Sequence, residues 1–96
     1  MSDARGVPKD RVAVIRARLE TELAPMSLEI VDDSRRHAGH AGARDGRGHF
    51  NVTIVASRFA GVNRLARHRM VYAALGGLMQ TDIHALSVTA LAPDEV

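Results

Sequence analysis

The chain contains no cysteine and no tryptophan, and its only Phe and Tyr residues are Phe50, Phe59 and Tyr72. Without cysteine it has no disulfide, no thiol catalysis and no thiolate metal site of its own, and the usual marker of redox compartment is missing. So few aromatic rings leave a core to be built from Val, Leu, Ile, Met and Ala. No apolar run reaches the ~18 residues that span a bilayer. Residues Met1–Pro8 hold no apolar core of signal-peptide length. These absences set the expectation of a soluble, cytoplasmic protein that does not engage a membrane. Charge of one sign is lacking too. The formal net charge is only +2, which does not by itself point to nucleic acid.

Enzyme signatures are equally scarce. There is no Gly-x-Ser-x-Gly, no P-loop and no dinucleotide fingerprint. Asp32 and Asp33 are a carboxylate pair, but neighbours on a strand point to opposite faces and start a loop more readily than they share a proton. No nucleophile is placed beside a histidine base. The expectation is a protein that is not an enzyme.

Ninety-six residues suffice for one domain with one core. Residues 1–8 read as a disordered lead-in, 9–93 as the domain and 94–96 as a tail. Asp10 caps a helix to about Ala24, with Val12, Ile15, Leu19 and Leu23 on one stripe, and Pro25 ends it. A strand follows, with Leu28 and Ile30 on one face and Glu29 on the other. Residues 33–48 are rich in Gly, Asp, Ser, Arg and His and form a loop long enough to be functional or mobile. His49–Ala56 is the second strand, with Phe50, Val52 and Ile54 on one face. A short helical segment leads to Gly61. Asn63 caps a second long helix, whose stripe reads Leu65, His68, Tyr72, Leu75 and Met79, with Gly76 and Gly77 weakening its last turn. Ile83–Leu91 is the last strand. The order α-β-β-(short α)-α-β predicts an α+β fold, with a three-stranded sheet, the first two strands an antiparallel hairpin, and the helices packed on one face.

Chemistry concentrates in histidine and arginine. His37 and His40 stand in the long loop as His-Ala-Gly-His, and neutral imidazole is a common metal ligand; on a loop this spacing reads first as solvent-exposed side chains. His68, on the apolar stripe, reads as a core histidine. His49 should point away from Phe50. His84 opens the last strand and shares a face with Leu86 and Val88. Arg35, Arg36, Arg44 and Arg47 form one basic stretch, and Arg58, Arg64, Arg67 and Arg69 another; both read first as solvated surface.

Taken together, four segments resemble the BolA family: Leu28-Glu29-Ile30-Val31-Asp32-Asp33-Ser34 with His37 and Ala38; His49-Phe50, Val52 and Ser57-Arg58-Phe59 with Gly61; Arg67-His68-Arg69-Met70-Val71-Tyr72-Ala73-Ala74-Leu75; and Ile83-His84-Ala85-Leu86-Ser87-Val88, with Pro93 and Glu95 beyond. They cover nearly the whole chain in one order. The resemblance implies a fold like the type II KH domain and a heterodimer with a monothiol glutaredoxin. It further implies a [2Fe–2S] cluster shared with that partner and glutathione, and none bound by this chain alone. It assigns His84 as one ligand and His37 as the second, with His40 a spare candidate. A cysteine-free chain is compatible with this role, because imidazoles can serve one iron of a cluster, as in Rieske-type centres.

The same resemblance carries an alternative, a DNA-binding transcriptional regulator using Arg64, Arg67 and Arg69. Gly39-His40-Ala41-Gly42 does match the Gly-x-x-Gly of KH domains. It lies between the first two strands, however, where a type II KH domain would need it between helices. A third reading is regulation by binding the glutaredoxin without metal. The implied location is bacterial cytoplasm, or the mitochondrial matrix for a chain that has lost a targeting segment.

Overall fold

The computed structural model describes residues 10–33 and 48–96. It contains α1 (Arg11–Leu23), β1 (Ser27–Asp32), β2 (Gly48–Val55), a 3-10 turn at Ser57–Phe59, α2 (Arg64–Leu75), α3 (Leu78–Thr81), β3 (Ile83–Leu91) and a closing 3-10 turn at Pro93–Glu95. The loop candidates His37 and His40, and the Gly39–Gly42 run with them, lie outside the described residues.

The expected α+β architecture is present. β2 is the central strand of three, antiparallel to β1 and parallel to β3. A parallel pair needs a crossover connection, and α2 and α3 provide it. Both long helices start where their caps predict: Asp10 Oδ1 accepts from the Ala13 N–H at 3.1 Å, and Asn63 Oδ1 from the Ala66 N–H at 2.9 Å. α1 stops at Ala24, a non-glycine residue in the left-handed region at φ +46°, immediately before Pro25.

One face of the sheet is covered. Phe50, Val52 and Ile54 of β2 pack with Ile15, Leu19 and Leu23 of α1, with Val71 and Leu75 of α2, and with Phe59, Ile83 and Val88. On the other face Asn51, Ser87 and Thr89 are exposed. The period-2 reading of β2 therefore holds.

The stripe expected for α2 is corrected. Leu65 and Tyr72 are among the most exposed large apolar residues, at 61% and 41%, and His68 is half-buried rather than a core histidine. Of the expected stripe Leu75 is buried and Met79 packs against the core, and the buried face of α2 is completed by Val71 and Ala74. α2 carries apolar residues on two stripes. The helix can bury only one of the two against the sheet, and the stripe that holds Val71, Ala74 and Leu75 is the one it buries. The helix ends at Gly76, φ +53°, where a Cβ would stand 3.4 Å from Arg18 Nη1. The chain turns there, and Leu78 enters the core from the separate α3.

Both outer strands have carbonyls capped by helix side chains. Arg16 Nη2 donates to the Leu28 carbonyl on β1 at 3.3 Å; Tyr72 Oη and Arg67 Nη1 donate to the Leu86 and Ala90 carbonyls on β3, at 3.4 and 3.0 Å. Covering an edge in this way guards it against strand-to-strand association.

Candidate functional site

The start of β3 is irregular. Gly48 pairs with Ile83, but the next residue, His49, pairs with Ala85, so His84 is the extra residue of a bulge. The bulge resets the alternation. Ile83 is buried in the core and His84 is exposed. Simple alternation put His84 with Leu86 and Val88; the bulge instead brings it to His49. The two rings stand 5.1 Å apart, tilted by 52°.

The surroundings of this histidine pair are well fixed. The Gly48 N–H donates to the Asp82 carbonyl at 2.9 Å, and the Asp33 N–H to the His49 carbonyl at 2.7 Å. Asp82 is buried, with Arg11 Nε 3.8 Å from its carboxylate. Asn51 Nδ2 donates to Asp33 Oδ2 at 3.2 Å. Beside the pair lies a hollow of about 200 Å³, whose lining includes Asp33, His49, Asn51, Leu86 and Ser87. The Nε2 of His49 is buried, while His84 is the exposed member. Among the described residues no three histidine or carboxylate side chains converge as a metal site. The pair offers imidazole nitrogen and no sulfur, so a metal centre built on His84 needs ligands from elsewhere.

The other end of β3 is closed on itself. Arg67 places Nη1 2.6 Å from Glu95 Oε1 and Nη2 2.9 Å from Glu95 Oε2, a two-pronged pair. Its Nε donates to the Val62 carbonyl at 2.7 Å, and its guanidinium sits 6.0 Å from the centre of the Phe59 ring. Only 11% of the Arg67 side chain is accessible. Glu95 Oε1 also accepts from the Ala92 N–H at 2.8 Å. The hydrogen bonds from Arg67 first, and from Ala92 second, lower the Glu95 pKa to about 2. Glu95 thus belongs to a latch that links the chain's last turn to α2.

The three arginines weighed together in the sequence are therefore not equivalent. Arg67 is held inside the molecule, whereas Arg64 and Arg69 are exposed. Glu95 was missed as a structural residue. Its one local signal is the spacing to Ala92, the reach of a capping carboxylate.

A family model described as BolA-like protein matches residues 19–95. The chain is 43% identical over 93 residues to Protein BOLA1, chloroplastic, of Arabidopsis thaliana, covering 94% of this chain and 58% of that protein. It is 42% identical over 79 residues to the DNA-binding transcriptional regulator BolA of Escherichia coli, covering 78% of this chain and 72% of that one. Among solved structures it is similar to the BolA domain of SufE1 from Arabidopsis thaliana, with TM-score 0.80 and 40% identity, covering 94% of this chain and all of that domain. The chain thus spans little more than half of the plant BOLA1 protein, and 24% of the SufE-like protein 1 of the same plant. No helix among the described residues is long and apolar enough to cross a membrane. With a matching family model over most of its length, and a fold that superposes on a BolA domain, the chain belongs to the BolA-like family.

Proposed function

We propose that this protein is a non-enzymatic partner of a monothiol glutaredoxin and supplies His84 to a [2Fe–2S] cluster shared with that partner and glutathione. The observation that carries the reading is the exposure of His84 at the β3 bulge, beside His49, in a chain without a single thiol. Strand pairing on both sides of the bulge limits the motion of the His84 backbone. The His49 ring, 5.1 Å away, narrows the space open to its imidazole, which lowers the entropy lost on ligation. His37 is the second ligand of this proposal and His40 its spare. The partner's cysteine and glutathione bring the thiolate sulfur this chain lacks, and the cluster supplies the electron-accepting chemistry.

The test is reconstitution with a monothiol glutaredoxin, glutathione, iron and sulfide, followed by visible absorption and circular dichroism. Wild type should give a mixed-complex spectrum distinct from that of the glutaredoxin alone. His84→Ala should abolish it, and His49→Ala should perturb it less. Whichever of His37→Ala and His40→Ala alters the spectrum identifies the loop ligand. A glutaredoxin spectrum indifferent to this chain would sink the reading.

The second reading is DNA binding, favoured by the exposed Arg64 and Arg69 and by the regulatory name of the Escherichia coli relative. Arg67 does not contribute to it while Glu95 holds it. This reading requires affinity that falls steeply with salt and that weakens in Arg64→Ala and Arg69→Ala.

A further inference from the structure

The outward face of α2 combines apolar bulk with uncompensated positive charge. Leu65, His68, Arg69 and Tyr72 follow the i, i+3, i+4, i+7 spacing of a single helix face and border a shallow hollow of about 330 Å³. Leu65 and Tyr72 are 61% and 41% exposed. Nothing in the core claims them. The helix sequence, Arg64 to Leu75, contains no acidic residue. Of its arginines, Arg67 is neutralised by Glu95; Arg64 and Arg69 make no ion pair among the described residues.

We infer that this face docks an acidic protein surface, with Leu65 and Tyr72 as apolar anchors and Arg64 and Arg69 pairing with the partner's carboxylates. Tyrosine and arginine around a hollow are the residue types that dominate binding energy at protein interfaces. Duplex DNA is a poorer occupant. It presents a line of phosphates and no apolar ridge to fill the hollow, and the arginine best placed to extend the basic row is turned inward to Glu95. Position ties the face to the histidine pair as well. The Tyr72 hydroxyl reaches the Leu86 carbonyl at 3.4 Å. Leu86 lines the hollow beside His49 and stands two residues from His84, about 6–7 Å along the strand. A partner seated over Tyr72 is therefore within reach of His84. The inference rests on the reading of this chain as a glutaredoxin partner and assigns that partner its docking face.

The experiment titrates a monothiol glutaredoxin into the protein by calorimetry, metal-free and under cluster reconstitution, for wild type, Leu65→Ser, Tyr72→Ala, Arg69→Glu and His84→Ala. Thermal melts of each variant check folding. Leu65→Ser and Tyr72→Ala should each weaken binding about 10- to 100-fold. Arg69→Glu should weaken it about tenfold and flatten its salt dependence. His84→Ala should lose the mixed spectrum, which marks ligation of the cluster apart from docking by α2. If the three α2 variants melt like wild type and bind like it, the docking face is wrong, while a surviving mixed spectrum leaves the glutaredoxin reading intact. If wild type neither binds nor forms the mixed species, both fall together. A parallel titration with duplex DNA completes the test: α2 variants that lose DNA but not glutaredoxin overturn the inference in favour of a nucleic-acid surface.

Discussion

The two ends of β3 use arginine and histidine in opposite ways. At the far end Arg67 spends its guanidinium on Glu95, on the Val62 and Ala90 carbonyls and on the face of Phe59. The near end holds a bulge, an exposed His84 and the His49 ring against it. The first arrangement satisfies its charge within the molecule and fastens the last turn to α2. The second leaves an imidazole exposed on a backbone that strand pairing keeps in place. Basic side chains in one short segment, Arg67-His68-Arg69, are thus divided between the interior and the surface by which way the helix turns them. Residue type alone does not decide between these uses; the partner across the fold does.

The largest expected effect separates the ends by stability. Phe59 is fully buried beneath Arg67. Phe59→Ala should destabilise the domain by roughly 3–5 kcal/mol. His84→Ala should stay within about 0.5 kcal/mol of wild type, while removing the mixed-cluster spectrum. Urea denaturation of both variants measures the contrast. A His84→Ala protein as unstable as Phe59→Ala would mean that the near end is built for packing, and the division between the ends would collapse.

That division was only partly legible in the sequence. α1 has one apolar stripe, so Ile15, Leu19 and Leu23 could face only one way, and they are buried. The period-2 pattern of β2 was equally readable, because both of its faces are marked by residue type, and so were the bounds of β3, though not its faces at the start. α2 offers apolar residues on two stripes, and local periodicity has no means of choosing between them; sheet packing selects Val71 and Ala74 and leaves Leu65 and Tyr72 outside. The bulge at His84 leaves no trace in composition. His49 and His84 meet only because β2 and β3 pair in parallel, and Arg67 meets Glu95 across 28 residues of chain. Contacts of that range depend on the fold as a whole, and the site depends on such contacts.

A smaller effect sharpens the far end. Arg67→Lys keeps the charge but replaces a planar fork with a single ammonium, so one carboxylate bond and the carbonyl bonds cannot all be kept. It should lower Tm by less than Phe59→Ala does. Arg69→Lys, on the exposed face of the same helix, should leave Tm unchanged. Equal melting curves for the two lysine variants would show that the bonds around Arg67 contribute no stability.

The smallest effect is the pH dependence of the latch, and its sign follows from the direction of the shift. The Glu95 carboxyl titrates at about 2 in the folded protein, below its ordinary 4.5. The folded state therefore binds fewer protons than the unfolded state between those values, and stability rises with pH across that window. The contribution is complete above the ordinary value and lost as pH drops through about 2. Because half of this pair is open to water, its size is small. Glu95→Gln removes the titrating group while keeping the side chain's shape. Melting curves of wild type and Glu95→Gln, followed from pH 7 downward, should be separated by a constant gap at neutral pH that narrows as the carboxyl protonates. A gap that stays constant through the acid range would mean that Glu95 holds Arg67 by shape and neutral hydrogen bonds, and that charge plays no part in closing the far end of β3.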